Sequence, residues 1–548
     1  MSRRQSALSA PLCLSLCFLW IAARAQQAPI LVNPGARLGN VHFETSCSPK
    51  AQDPFDRAVA LLHSFEFGPA ITGFRAALAA DPGCAMADWG IALSSWGNPF
   101  APGLKPSAYL ERGREAIEAA RAAKPKTQRE RDYIEAASRL YDGFESSTQQ
   151  TRLDAYCDSM SKVAARYPDD SEASIFYALS LAMSADLTDK TYAKQLEAGA
   201  ILERVFRKEP QHPGVAHYII HSYDFPPLAP RALAAARAYA MIAPASPHAL
   251  HMPSHIFTRL GLWDESIHSN VASLAASRRE NNVTEELHAS DYLLYAYLQT
   301  GRDTAAKRVL DDLPEIESRL RPEVVPMGAA PLPAAYFAMA AMPARYALER
   351  GDWAAASTLQ VRPTKYPYTD AISWFARGMG AARLGETAAA REAARRLAAI
   401  HQRLIDANES YWALQVEIQE TDVLAWVAVA NKDSDGALAE IRKAIELENG
   451  TEKSVVTPGP IAPASELSAE LFLELNRPGD ALRQFEATLQ KEPNRFRSLY
   501  GAAKAARLAG NAQMAQRYAA TLIKVCAHAD YPGRPELAAA RVIASSDR

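Results

Sequence analysis

Two histidine pairs in this chain are separated by one constant step: His217 and His221 recur 34 residues later as His251 and His255. A fixed period of that length marks an array whose unit is a pair of helices joined by a turn, with successive units stacked side by side. The step constrains the fold strongly, because two short helices cannot bury their own apolar faces and must share a core with their neighbours. It also has a chemical consequence. Histidines four apart share one helical face, so two equivalent helices packed at roughly 8–10 Å bring four imidazoles together.

The frame can be followed along the chain. In LLHSFEFGPAITGFRAALAADPGCAMADWGIAL, Phe67, Ala70, Phe74, Ala77 and Pro82 supply a turn aromatic, small interhelical contacts and a closing proline. The same order returns around Gly261 and Trp263, Gly301 and Ala306, Gly351 and Trp353, Gly385 and Ala390, Ala481 and Phe485, and Gly510 and Ala515. These segments resemble the tetratricopeptide-repeat family, in particular secreted bacterial members, over the whole chain beyond about residue 50. The resemblance implies an all-α solenoid, a right-handed superhelix of helix-turn-helix repeats. Its concave groove would take a small molecule or peptide. The expected divisions are a signal peptide over 1–25, an arm over 26–50, a first array over 51–320 and a second over 334–548.

Other features bound the function. Arg3 and Arg4, the apolar run from Ala7 to Ala22, and Ala23-Arg24-Ala25 read as a cleaved secretory leader, which predicts a periplasmic or secreted product. No later stretch approaches the roughly 18 apolar residues of a membrane helix. A net charge of −2 gives no basic excess to draw nucleic acid. In an oxidising compartment Cys47 and Cys84 would tie the arm to the first repeat. Because a repeat array grows by stacking, one elongated body is expected. Three Gly- and Pro-rich interruptions, 94–106, 323–333 and 450–463, read as lids or rims over one face.

Taking Pro210 and Pro244 as closing prolines puts His217 and His251 at the fifth position of their repeats and His221 and His255 at the ninth. His248 takes a second position. The resemblance implies that these positions face the groove. A turn at Gly301 extends the column to His288 and Asp291, and His63 reaches it only if the superhelix curls. Crowded imidazoles depress one another's pKa toward the neutral, metal-binding form. His217, His221, His251 and His255 are therefore the expected ligands of a transition metal, copper or zinc, with iron also open. Met252 adds a soft thioether that favours copper. His248 and Asp224 are the expected proton handlers, although Asp224 can equally serve to close the turn before Phe225-Pro226-Pro227. The segment HYIIH is no zinc-protease motif, because Tyr218 stands where the glutamate base would. Pro253, between His251 and His255, threatens the column, since a helix starting there would leave His248 and His251 on a loop.

A second polar set comprises Glu466 and Glu470, with Tyr500 and Lys504 in the following repeat, while Arg495 and Arg497 read as rim charges. The histidine block predicts a metal-dependent groove, and if it is an enzyme, oxidation through copper or iron and hydrolysis through zinc are both open. The alternatives are a non-catalytic peptide-binding scaffold of the cell envelope and a metal storage or delivery protein.

Overall fold

A computed structural model describes residues 35–324 and 327–545 of the chain; the leader-like segment 1–25 lies outside them. Among the described residues every regular element is helical, with 26 α-helices and one short 3-10 turn at Pro322–Val324. Consecutive helices pack against one another along nearly the whole chain, as stacked hairpins require. The architecture is an all-α solenoid of the tetratricopeptide type.

The repeat chemistry acts as the frame requires. Phe74 packs so closely on Gly90 that a Cβ there would lie 2.3 Å from the ring, and Phe485 meets Gly501 in the same way at 2.2 Å. Each glycine stands 16 residues after its aromatic, so one device joins neighbouring hairpins at opposite ends of the array. Each buried ring contributes about 1.5–3 kcal/mol. The turn glycines Gly261 and Gly301 have φ of 65° and 68°, a region that side chains avoid. Cys47 and Cys84 are disulfide-bonded and tie the arm to the first hairpin.

The expectation of an elongated body is corrected: the superhelix curls until distant repeats touch. Trp263 Nε1 donates to the Asn494 carbonyl, Asn494 Nδ2 donates to the Gly261 carbonyl, and Arg534 reaches the Leu298 carbonyl, at 2.9, 3.1 and 3.1 Å. Curling also corrects the reading of Arg495 as a rim charge. Its side chain is buried and paired with Glu466 and Glu349.

Near the N-terminus, the His63 carbonyl meets His217, and His63 packs on Gly214, where a Cβ would lie 2.4 Å from its ring. The His63 backbone thus reaches the column, while its ring turns to Tyr218 and Glu172.

Candidate metal centre

The helix Pro213–Tyr223 is buried on all sides, which places His217 and His221 inside the protein rather than on an open groove wall. His217 Nδ1 lies 2.7 Å from the His63 carbonyl oxygen, which can only accept, so Nδ1 carries the proton and Nε2 is a bare lone pair. That Nε2 is 3.1 Å from His221 Nε2. The His221 ring stacks on Phe100 with centroids 4.1 Å apart, and its Nδ1 has no partner.

Pro253 splits the next helix without dispersing its histidines. Pro247–His251 and Pro253–Arg259 meet at Met252, which keeps α-helical angles, φ −53° and ψ −35°. Proline takes the first turn of the second segment, where its missing N–H costs least. His251 and His255 therefore retain helical spacing, with their Nε2 atoms 3.1 Å apart. His251 Nδ1 lies 2.7 Å from Asn270 Oδ1, and that amide's nitrogen is committed to the Ser266 carbonyl. His255 Nδ1 lies 3.0 Å from Asp224 Oδ2. In their neutral forms, both rings spend their only N–H outward and confront each other with lone pairs.

Two further histidines complete the cluster. His248 turns Nδ1 to Glu285 Oε1 at 3.0 Å and leaves Nε2 without a partner. His288, from Val283–Gln299, sets its ring 4.5 Å from that of His251. The ligating atoms fall into two sets, His217 with His221 and His248, and His251 with His255 and His288. Within each set all lie within 4.8 Å of one another. His248 therefore stands as a donor in the first set. Asp224 is engaged by His255, Arg259 and Lys453, at 3.0, 2.8 and 3.1 Å, and its place is behind the ring it orients.

Burial, followed by the neighbouring imidazoles, holds His217, His221 and His288 well below the ordinary histidine pKa, and brings His251 to about 3. Burial lowers His248 as well, and it outweighs the pull of Asp224 on His255. Neutral imidazoles with outward N–H groups tied to carbonyls and carboxylates are a common supporting arrangement of metal-binding histidines. Two nitrogens 3.1 Å apart would both reach one ion at about 2.0–2.1 Å with an angle of roughly 100°.

All three sequence interruptions meet over this cluster. Phe100 covers His221; Asn98 Nδ2 donates to the Ala329 carbonyl at 2.7 Å; and Ala330 N–H donates to Glu285 at 3.2 Å. Tyr292 O–H lies 3.2 and 3.0 Å from the carbonyls of Val455 and Thr457. A small void remains between His221, His248, His255, His288 and these apolar loop residues. Asp291 lies outside the cluster. It pairs at 3.0 Å with Arg345, whose other donors hold Thr457, Gly459 and Pro460 of the third loop.

The other expected residues are dispersed. His63 and His212 share Glu172, each at 3.0 Å; burial pushes its pKa up, and the two histidines together outweigh that and hold it far below the usual carboxylate range. Glu466 is bound by Arg495 and Ser498, and Glu470 by Arg383 and Arg497. Tyr500 is half-buried and Lys504 exposed. Sequence reasoning missed Asn270, Glu285, Tyr292 and Lys453, for which local spacing offers no signal. A larger cleft of about 260 Å³ opens beside the third loop, walled by Phe337, Tyr368, Tyr411 and Trp412. It includes Arg259 and Lys453, the two cations on Asp224.

No family model and no curated protein matches the chain. Among solved structures, a human IFIT1 dimer with PPP-AAAA aligns over 77% of this chain and 88% of its own, at 11% identity and a TM-score of 0.36. A chain of the APC/C hetero-tetramer Cut9-Hcn1 aligns over 90% of this chain and 96% of its own, at 11% identity and a TM-score of 0.29. No described helix is long and apolar enough to cross a membrane.

Proposed function

We propose that this protein is a metal-dependent enzyme whose centre is a buried transition-metal site built from His217, His221, His248, His251, His255 and His288. One observation carries the reading: His251 and His255 commit their N–H groups to Asn270 and Asp224 while their bare Nε2 atoms stand 3.1 Å apart. Such an arrangement needs a cation between the rings. A proton would serve in principle, but burial opposes it and Arg259 and Lys453 already offset the Asp224 charge.

Oxidation fits better than hydrolysis. Glu285 and Asp224, the carboxylates bonded to the histidine rings, are both tied to Nδ1 atoms, so neither is placed to take a proton from a metal-bound water. The adjoining aromatic cleft favours turnover over storage, since it offers room for an organic substrate and shares Arg259 and Lys453 with the support of His255. Export fits the Cys47–Cys84 bond and the leader-like segment.

The test is metal analysis of the dialysed protein and of its His217→Ala, His251→Ala double variant. Stoichiometric metal that vanishes in the variant is expected. A metal-free wild type that also fails to take up copper, iron or zinc would leave the scaffold reading, in which the cleft alone binds a partner.

A further inference from the structure

We infer that the six imidazoles hold two copper ions, three to each, and that the pair binds dioxygen between them at the peroxide level. The inference rests on the metal-centre reading above and adds the number of ions, their identity and their ligand.

The division into two sets is built into the repeat. Each set takes the fifth and ninth positions of one unit and the second position of the next: His217, His221 and then His248; His251, His255 and then His288. One solenoid step therefore carries the first set onto the second. The two triads are separate groups of mutually close ligand atoms, and no such group of described residues takes members from both. Between their facing members, ring centroids are 6.2 Å apart for His221 and His255 and 6.1 Å for His248 and His251. Ions centred on sets this near fall in the range of paired sites, about 3.5–4 Å.

Donor chemistry selects the metal. Each set offers three neutral nitrogens and no carboxylate, with Met252 lining the void beside them. Copper stands highest among the divalent first-row ions in affinity for such donors, and imidazole suits it in both oxidation states. Three-coordination is adequate for Cu(I) and leaves one side of each ion open toward the other.

The surroundings select the ligand. Ala329, Ala330, Val455 and Val456 line a void too small for an organic molecule, which limits a bridging ligand to a few atoms. In the binding step each Cu(I) gives one electron, and dioxygen takes both to become a bridging peroxide. The O–O bond is reduced in order but not broken, and no proton is required. The net charge on the centre is the same before and after, +2 in both states, so the step imposes no new charge on a site whose inward-facing groups are neutral imidazoles. Two electrons from a small organic reductant return the pair to Cu(I), and the peroxide leaves with two protons as hydrogen peroxide.

The experiment uses the full mature chain, stripped of metal, loaded anaerobically with Cu(I) and desalted. Two copper ions per chain are expected, falling to one in His248→Gln and in His288→Gln, and to nearly none in the double variant. On admitting dioxygen, a new visible or near-ultraviolet absorption should appear. Most of the oxidised copper, roughly nine-tenths, should be silent in electron paramagnetic resonance, because two neighbouring Cu(II) ions couple through the bridge. Ascorbate under anaerobic conditions should abolish the band. One copper per wild-type chain, or two ions each giving a full isolated Cu(II) signal, would overturn the paired site and leave the metal-centre reading intact. Failure to take up any transition metal would overturn both. Wild-type stoichiometry decides even if a variant does not fold.

Discussion

Two buried polar clusters in this solenoid solve the same physical problem in opposite ways. Around Arg495 the charges cancel. Arg495 pairs with Glu466 and with Glu349, at 2.8 and 2.6 Å, while Arg383 and Arg497 share Glu470. Glu349 meets the guanidinium as an ion pair outside hydrogen-bond alignment, so its oxygens count as unbonded by geometry though not by charge. Three cations face these three anions, with Glu492 a fourth carboxylate 3.5 Å from Arg495 at the edge of the cluster. Around His251 there are six bases and no acid among the inward-facing groups. The two clusters occupy equivalent places, since Glu466 and Glu470 hold the same fifth and ninth repeat positions as the histidines. A groove position therefore says where a side chain points, and charge compensation says whether it awaits something else.

The contrast is broken first through Arg495. Removing one partner of a buried ion pair costs about 3–5 kcal/mol because the remaining charge is stranded. Arg495→Ala should lose that much stability in urea unfolding, with metal content unchanged. A loss below about 1 kcal/mol would show that water already enters the cluster. Metal provides the converse test. Copper at a free concentration one hundred times its dissociation constant should stabilise the wild type by about 2.7 kcal/mol. A chelator should reverse the gain, and the His217→Ala, His251→Ala variant should show none.

Asp224→Asn sharpens the comparison further. The amide can still orient His255 but loses the charge that supports its N–H and balances Arg259 and Lys453. Loss of such a supporting carboxylate weakens metal binding about 10–100-fold. Competition titration against a chelator would measure it, and unchanged affinity would demote Asp224 to a closer of the turn.

Much of the fold was legible because a repeat states its own period: turn glycines, aromatics and closing prolines fix hairpins by local chemistry alone. The histidine pairs were legible for the same reason, and His248 and His288 fell in the column once the frame was set. What was not legible depends on how far the superhelix curls, a sum of small rotations over many units. Arg495 looked like a rim charge because its repeat carries no sign that Tyr295, 200 residues earlier, will close over it. The pairing of His251 with Asn270 and of His248 with Glu285 was hidden likewise, each partner lying on a different helix. Pro253 misled in the other direction. Local rules made it a break, whereas Met252 holds helical angles and passes the histidine spacing across it.

A separate test, of stability alone, lies in the cleft beside the centre, at Asp422. Its carboxyl is buried, Oδ1 has no partner, and burial followed by the nearby Glu448 carboxylate holds its pKa well above the ordinary value. The folded state thus keeps a proton that the unfolded chain, with a pKa of about 3.9, gives up. Stability from this group is fully present below that unfolded value and is lost as pH rises through the raised folded value. Asparagine imitates the protonated acid and cannot lose it. Asp422→Asn should therefore match the wild type near pH 4 and exceed it at pH 7, by at most about 1.4 kcal/mol for each pH unit that separates the two pKa values. Urea midpoints at both pH values measure the gap. A variant less stable than the wild type at pH 7 would mean that the carboxylate is ionised and paired, and that the cleft, like the cluster around Arg495, already supplies its own counter-charge.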